Sequence, residues 1–252
     1  MTLAAEINRI LYGGSPYDGF DIARWPLDLQ GWFTDTEIFD TYIDRLKPKL
    51  IVEVGSWKGK SSHHLIGRAL SHGDASIICV DTWLGSSEHW VHRPWRETLG
   101  FKNGRPTLHE QFIANVIHAG LQDRVVPLPL PSRQASIVLE KLRQGRSDFA
   151  QLVFIDGAHD QASVTEDIAS YWPLVAAGGV MIGDDYRESD WPGVIKAVDW
   201  FRASHAAQIA ETGNVRTRWF AVKKPDAGGK AGIDVTGAHF GAGLKRLVGD
   251  RL

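Results

Sequence analysis

The sequence has little cysteine: Cys79 is the only one in 252 residues. A lone cysteine excludes a disulfide framework within the chain and a cysteine-rich metal site. Its apolar neighbours predict a buried core position. No stretch approaches the roughly 20 apolar residues that cross a bilayer, and the first residues lack the pattern of a signal peptide. We therefore expect a cytoplasmic protein with no membrane partner.

Blocks of like charge are also missing. The chain carries 28 Lys and Arg against 30 Asp and Glu, for a net charge of −2. This balance gives no sign of a nucleic-acid partner, and we expect none. A hydrophobic fraction of 43% provides for a core, and the length suits one α/β domain with extensions. We predict a helical lead-in (1–46), a main domain (47–224) and a glycine-rich tail (225–252) that is flexible or forms an oligomer arm.

Short apolar runs alternate with helical patterns along the main domain. The predicted strands are 50–54, 77–80, 124–128, 152–155 and 180–182, followed by an antiparallel pair at 207–211 and 217–223. The predicted helices are 35–46, 61–70, 107–119, 134–142, 162–175 and 194–203. Continuous apolar strands separated by helices indicate a parallel sheet covered on both faces. The predicted fold is therefore α/β: a doubly wound, mostly parallel Rossmann-like sheet with a C-terminal antiparallel strand pair.

Ligands of such sheets bind at the carboxyl ends of the strands. The first of these ends carries the pattern E-x-G-x-x-x-G-x-S, with Glu53, Gly55, Ser56, Gly59 and Ser61 as candidate cofactor-binding residues. Glycines let the chain turn tightly and a ligand approach the backbone, and the next helix offers free N–H groups. The negative charge of Glu53 suits a sulfonium compound with an amino group better than it suits a phosphate.

Several interpretations of this loop stay open. A dinucleotide fingerprint needs glycines where Trp57 and Lys60 stand. A phosphate-binding P-loop needs four residues between its glycines, and here there are three before Lys60-Ser61. The pattern resembles methyltransferase motif I in a variant that lacks the central glycine. A glycine turn with no ligand is the remaining alternative.

The second strand ends in Asp81-Thr82-Trp83. An acid at this position can accept hydrogen bonds from both hydroxyls of a ribose. Such an acid also occurs in NAD enzymes, and it can equally cap a turn. We include all three residues among the candidate cofactor-binding positions.

Acids also collect after the fourth and fifth strands, as Asp156 with His159 and as Asp184-Asp185. If these strands are neighbours, three carboxylates converge and repel unless a cation neutralises them. Mg²⁺ is the obvious choice for oxygen ligands, so Asp156, Asp184 and Asp185 are candidate metal ligands. His159 is a suitable proton acceptor. A solvated turn at 184–185 and an orienting role for His159 are the alternatives.

The chain resembles a bacterial family of class I S-adenosylmethionine (SAM)-dependent methyltransferases. The family is related to metal-dependent macrolide-sugar O-methyltransferases and to cephalosporin hydroxylase-like proteins. The likeness covers residues 45–200 and is most specific from Asp156 to Tyr186. It implies that SAM lies against Glu53, Gly55, Gly59 and Asp81, with Asp156 alongside. It further implies that Mg²⁺ lies on the three acids and that His159 is the general base.

A long connection, residues 82–106, indicates a binding loop or lid. Its Trp90 and Trp95, with Tyr186 and Trp191 after the fifth strand, are candidate substrate residues, since indoles stack on sugars and flat rings. We predict methyl transfer to a hydroxyl of a small molecule, a sugar or natural product. The alternatives are a P-loop-like phosphotransferase and a SAM-binding module without catalysis.

Overall fold

The computed structural model describes residues 1–144, 148–187 and 189–225. The strands of this part are β1 (Leu50–Val54), β2 (Ser76–Val80), β3 (Phe101–Lys102), β4 (Arg105–Pro106), β5 (Val125–Leu128), β6 (Ala150–Ile155), β7 (Val175–Gly183), β8 (Ile209–Val215) and β9 (Arg218–Lys223). The α-helices are α1 (Leu3–Tyr12), α2 (Glu37–Leu46), α3 (Lys60–Leu70), α4 (Ser87–Val91), α5 (Arg93–Thr98), α6 (Leu108–His118), α7 (Ser132–Arg143), α8 (Gln161–Tyr171) and α9 (Pro192–Ser204).

The main sheet has the strand order β5-β2-β1-β6-β7-β9-β8. The first five of these strands are parallel, β9 pairs antiparallel with β7, and β8 pairs antiparallel with β9. The predicted fold class is confirmed. From β1 the chain adds β2 and β5 on one side of the sheet, and it then crosses back to place β6 on the other side of β1. The topological switch point therefore lies between β1 and β6.

The core has two halves, one on each face of the sheet. Alternate strand residues face opposite sides: Val52 and Val54 pack with α1, α7, α8 and α9, whereas Ile51 packs with α2, α3 and α6. Cys79 is fully buried on the second side. This double cover explains why the strands are continuously apolar.

Three predicted boundaries differ from the structure by more than two residues. The strand predicted at 207–211 is β8 (Ile209–Val215) and ends four residues later than predicted. The helix predicted at 162–175 ends at Tyr171 and continues as a 3-10 turn, Trp172–Leu174. The last strand of the parallel set begins at Val175, five residues before its predicted start. Gly178 and Gly179 resemble a turn in sequence but lie inside this strand, where Gly178 has φ +76°. The glycines therefore mark an irregularity of β7 and not its beginning.

The sequence patterns predict the lead-in and the 82–106 connection without all of their secondary-structure elements. The lead-in contains α1 as well as α2, and the 82–106 connection contains α4, α5 and the β3–β4 hairpin. Within the described ranges, no helix has the length and apolar character that crossing a membrane requires. The predicted tail lies outside the described residues apart from Pro225.

Candidate functional site

A cleft of about 720 Å³ opens at the carboxyl ends of β1, β2, β6 and β7. This is the edge at which doubly wound sheets bind ligands. The sequence-predicted residues that line it are Gly55, Ser56, Ser61, Asp81, Thr82, Trp95, Asp156, His159, Asp184, Asp185 and Trp191. The topology thus brings together residues from four separate loops.

Gly55 lets the loop after β1 pass close to β6. Its φ is +90°, and a Cβ added there would lie 2.0 Å from the backbone oxygen of Asp156. No other residue type fits this approach. Trp57 has φ +48° and stands where motif I has its central glycine. The turn therefore keeps its shape although a bulky side chain replaces a glycine.

Asp81 holds this turn from the neighbouring strand. Its Oδ2 accepts hydrogen bonds from the backbone N–H of Ser56 (3.0 Å) and Trp57 (2.8 Å), and its Oδ1 accepts one from Trp83 (2.7 Å). Burial raises the pKa of Asp81 above its ordinary value, and the backbone hydrogen bonds oppose this. Since Asp81 also lines the cleft, it combines a turn-fixing role with access to a ligand.

Glu53 does not lie on the cleft wall. Its side chain has no exposed surface and accepts a hydrogen bond from the hydroxyl of Ser62, while Oε1 has no partner among the described residues. Burial raises its pKa. In this structure Glu53 is therefore not exposed for the direct cofactor contact expected from the sequence. Its hydrogen bond with Ser62 ties β1 to the first turn of α3.

Gly59 is likewise a packing position. A Cβ added there would lie 3.1 Å from the ring of Phe112, and the residue is absent from the cleft wall. Its φ of +86° places it immediately before α3. The glycine thus lets the helix begin against α6.

The acids after β6 and β7 converge as expected. Asp156, His159, Asp184 and Asp185 all border a void of about 10 Å³ beside the cleft, which is room for one water molecule. Burial raises the pKa of Asp156 well above its ordinary value, and the negative charges of Asp184 and Asp185 raise it further. Asp156 is therefore the acid of this group that most readily holds a proton.

Asp184 is paired with an arginine that the sequence analysis missed. Arg218 Nη2 lies 2.9 Å from Asp184 Oδ2, and the Thr217 hydroxyl donates to Oδ1 at 3.2 Å. Arg218 is only 2% exposed and packs against the rings of Phe33 and Phe39. Its signal in the sequence is a basic residue at the start of an apolar strand, which becomes informative once β9 is known to pair with β7.

Asp185 is paired with the candidate base. His159 Nε2 lies 3.0 Å from Asp185 Oδ2, and Arg187 lies 3.2 Å from Oδ1. Burial acts to raise the pKa of Asp185, but the hydrogen bonds and charges of His159 and Arg187 together hold it below its ordinary value. Asp185 also has φ +60°, a conformation that aims its side chain at His159.

His159 is fixed on a second side by an indole. The imidazole stacks on Trp191 with ring centroids 4.0 Å apart and planes 18° apart. Its Nδ1 is buried and has no partner among the described residues. A histidine with one nitrogen on a carboxylate and the other free is the arrangement of a proton acceptor.

The same carboxylates do not fit a divalent ion in this arrangement. Both oxygens of Asp184 and of Asp185 are already acceptors for Arg218, Thr217, His159 or Arg187. In the ranges that the structure describes, no three His, Cys, Asp or Glu side chains form a group that could hold a metal. Three converging acids need a compensating positive charge. In this structure protein side chains provide it, chiefly Arg218, which pairs with Asp184.

Three of the predicted aromatic contacts lie elsewhere. Trp83 is 1% exposed, packs on Phe112 and donates its indole N–H to Trp57 O. Trp90 contacts Phe101 edge to face and donates its indole N–H to Leu84 O. Tyr186 donates its hydroxyl to Asp199 and lies under Arg202. All three rings are engaged in contacts with the protein itself, and none of them lines the cleft.

Other residues of the cleft lining are not predicted from the sequence. Trp32 from the lead-in and Glu88 and His89 from α4 line the cleft. No sequence pattern points to Trp32 as a site residue. It lies before the main domain, and only the fold of the lead-in brings it to the cleft. Glu88 and His89 lie in the long connection predicted to bind substrate, but the sequence drew attention to its tryptophans.

Comparison with known proteins agrees with this geometry. Residues 52–186, more than half of the chain, match the family model described as "Methyltransferase domain". No curated protein was found that matches the sequence. Matches among solved structures are numerous.

Three of those structures illustrate the likeness. A protein from Staphylococcus aureus, a candidate caffeoyl-CoA O-methyltransferase, has a TM-score of 0.53 at 14% identity, covering 86% of this chain and 97% of its own. The O-methyltransferase TomG from Streptomyces achromogenes, solved with SAM, has 0.50 at 16%, covering 78% and 82%. The O-methyltransferase NovP has 0.50 at 19%, covering 75% and 78%. At these identities the likeness concerns the fold.

The family match covers β1 to the turn after β7, which includes the glycine turn, Asp81, His159 and the acid pair. The strand order of the sheet and the position of the cleft agree with it. The chain therefore belongs to the methyltransferase domain family and has the class I methyltransferase fold.

Proposed function

We propose that the protein transfers a methyl group from SAM to a hydroxyl oxygen of a small molecule. The observation that carries this proposal is the His159–Asp185 pair, which lies in the same cleft as the glycine turn and Asp81. The names of the similar O-methyltransferases support oxygen as the acceptor atom. A phosphotransferase loses its support, because the family match covers the glycine turn itself.

The residues present fit SAM. Gly55 exposes backbone at the switch point, Asp81 offers a carboxylate for a ribose, and the cleft is large enough for a nucleoside and an acceptor together. When bound, SAM supplies an electrophilic methyl group. The protein aligns the acceptor with that methyl, and alignment is the main contribution to such a displacement.

His159 receives the proton of the acceptor hydroxyl. Asp185 holds Nε2, which leaves the lone pair on Nδ1. Because Nδ1 is buried in the ligand-free structure, the imidazole must shift when the acceptor binds for the hydroxyl to reach it. Asp185 is kept ionised by His159 and Arg187 against the effect of burial, so it stabilises the imidazolium that forms. Arg218 neutralises Asp184 nearby, and no step in this sequence passes through a metal.

The test compares two histidines that are both paired with aspartate. His159→Gln should reduce kcat by roughly 100- to 10,000-fold, the usual contribution of a general base, with SAM affinity unchanged. His72→Gln is the control, because His72 pairs with Asp44 at 2.7 Å outside the cleft. Turnover is followed as S-adenosylhomocysteine (SAH) release with a panel of hydroxyl compounds. Equal activity of the two variants would refute the role of His159, and SAM binding without turnover would indicate a module without catalysis.

A further inference from the structure

The cleft has an aromatic wall, which we define as Trp32, Trp57, His89 and Trp95. These residues come from the lead-in, the glycine turn and the 82–106 connection, and all four line the cleft. Trp32 lies with ring centroids 5.6 Å from Trp57, 5.7 Å from His89 and 6.3 Å from Trp95. The rings thus form one continuous surface.

This wall is not closed over by the protein. Trp32 keeps 56% of its surface exposed although three other rings surround it. A second pair of flat rings, His159 stacked on Trp191, lines the same cleft. Exposed indoles beside a stacked imidazole favour a flat ring as ligand.

Acids outnumber cations in the lining of the cleft, although Asp35 pairs with Arg216 and Glu166 with Arg133. Among the described residues its lining contains eight acids, namely Asp35, Asp81, Glu88, Asp156, Glu166, Asp167, Asp184 and Asp185, but only three Lys or Arg, namely Lys60, Arg187 and Arg218. Each of the three cations is already engaged: Arg218 with Asp184, Arg187 with Asp185, and Lys60 with the Gly31 carbonyl. Arg187 and Arg218 are thus neutralised by carboxylates, whereas Lys60 keeps its charge because a carbonyl does not neutralise it. An anionic ligand therefore meets more acids than cations in this lining.

Glu88 is the acid best placed to select a ligand. It precedes His89 of the aromatic wall and lines the same cleft as His159. Hydrogen bonding from Ser86 holds the pKa of Glu88 below its ordinary value against the effect of burial, so the side chain is ionised at neutral pH. An ionised acid next to indole faces is the usual recognition element for an organic cation.

Resting on the proposed function, we infer that the methyl acceptor is a flat, hydroxylated ring with a basic substituent. The ring lies on the aromatic wall, its hydroxyl points to His159, and its ammonium group pairs with Glu88. An acceptor with a carboxylate in place of the basic substituent would be repelled by Glu88 and bind more weakly. The inference concerns the class of compound and adds a specificity residue, Glu88, to the site.

The test uses three phenols that differ in one substituent: tyramine (ammonium), para-ethylphenol (neutral) and phloretate (carboxylate). Binding is measured by calorimetry and by quenching of tryptophan fluorescence, with the full chain saturated by SAH. We expect tyramine to bind about five-fold more tightly than para-ethylphenol, and phloretate to bind most weakly. Equal affinities, the reverse order, or no binding by any of the three would overturn the inference.

Variants assign the preference to its source. Glu88→Gln should lower tyramine affinity to that of para-ethylphenol and leave para-ethylphenol unchanged. Glu97→Gln is the matched control, since Glu97 lies on α5 of the same connection but outside the cleft lining. A tyramine preference that survives Glu88→Gln would refute the role of Glu88. SAH binding without acceptor is measured first, because its absence would refute the proposed function, whereas SAH binding with the wrong acceptor order refutes only this inference.

Discussion

At the scale of single residues, Gly55 determines whether the loop after β1 can approach β6. Gly55→Ala places a Cβ in left-handed backbone and 2.0 Å from the Asp156 oxygen, so loop and strand must separate. We expect a loss of at least about 2 kcal/mol in the free energy of unfolding and a loss of SAM binding. Urea unfolding and calorimetry measure the two effects.

A second glycine provides the control for that substitution. Gly67 lies within α3, is exposed, and would meet nothing within 4 Å if it carried a Cβ. Gly67→Ala should therefore stabilise the protein by about 0.5–1 kcal/mol and leave SAM affinity unchanged. If both substitutions had the same effect, the close approach at Gly55 would not be the cause.

Arg218 is the second residue on which the site depends. Arg218→Met removes the cation from a nearly buried ion pair and leaves Asp184 without compensation. Breaking such a pair costs about 3–5 kcal/mol, and the double variant Arg218→Met/Asp184→Asn should recover much of this loss. Chemical unfolding of the single and double variants gives the coupling. Independent, additive effects would contradict a paired role.

At the scale of elements, sequence patterns locate most strands and helices but not their irregular ends. The strand Leu50–Val54 is predicted to the residue, because four apolar residues and Glu53 are followed directly by a glycine turn. The first half of β7 is missed, since Gly178-Gly179 has the composition of a turn and only its pairing with Ala150 shows a strand. The helix α1 is missed although Thr2 caps its start and Gly13 its end. These two capping residues are local signals of a helix, although no helix is predicted before residue 35.

Helix α8 presents a buried acid whose titration is measurable. Burial raises the pKa of Asp167 to about 6, whereas an unfolded aspartate has about 3.9. The folded state therefore holds this proton more tightly, and the stabilisation present below pH ~4 is lost as pH rises through ~6. Relative to the wild type, Asp167→Asn should gain about 2–3 kcal/mol in unfolding free energy between these limits. Unfolding curves at several pH values test this, with the exposed neighbour Glu166→Gln as a control that should follow the wild type.

At the scale of the whole molecule, the site combines segments that lie far apart in the sequence. Gly55, Asp81, Asp156 and Asp184 are predictable because parallel strands all end at one edge of the sheet. Arg218 and Trp32 are not predictable in this way, since an antiparallel return strand and a lead-in carry them to the cleft. The position of Arg218 changes the expected chemistry. Asp184 pairs with this arginine, whereas the acids considered alone suggest a magnesium ion.

Metal dependence follows from that change. Because Arg218, His159 and Arg187 already engage Asp184 and Asp185, removal of divalent ions should leave turnover within about two-fold of its starting value, well below the factor that a metal-assisted step contributes. Activity is measured after dialysis against EDTA and again with added Mg²⁺. A loss of activity with EDTA that Mg²⁺ restores would contradict this arrangement and return the three acids to the role of metal ligands.

Binding of SAM should stabilise the folded chain as a whole, because the cleft proposed to hold it is lined by loops from both halves of the sheet. At 100 times its Kd, a ligand of the folded state alone adds about 2.7 kcal/mol, which for a chain of this size raises Tm by about 5–10 °C. ATP at the same concentration should give no shift, since Arg187 and Arg218 are paired with carboxylates and acids outnumber cations in the described lining of the cleft. Differential scanning calorimetry separates the two ligands. Stabilisation by ATP and not by SAM would mean that the glycine turn holds phosphates, and the assignment of the cleft to a cationic methyl donor would be wrong.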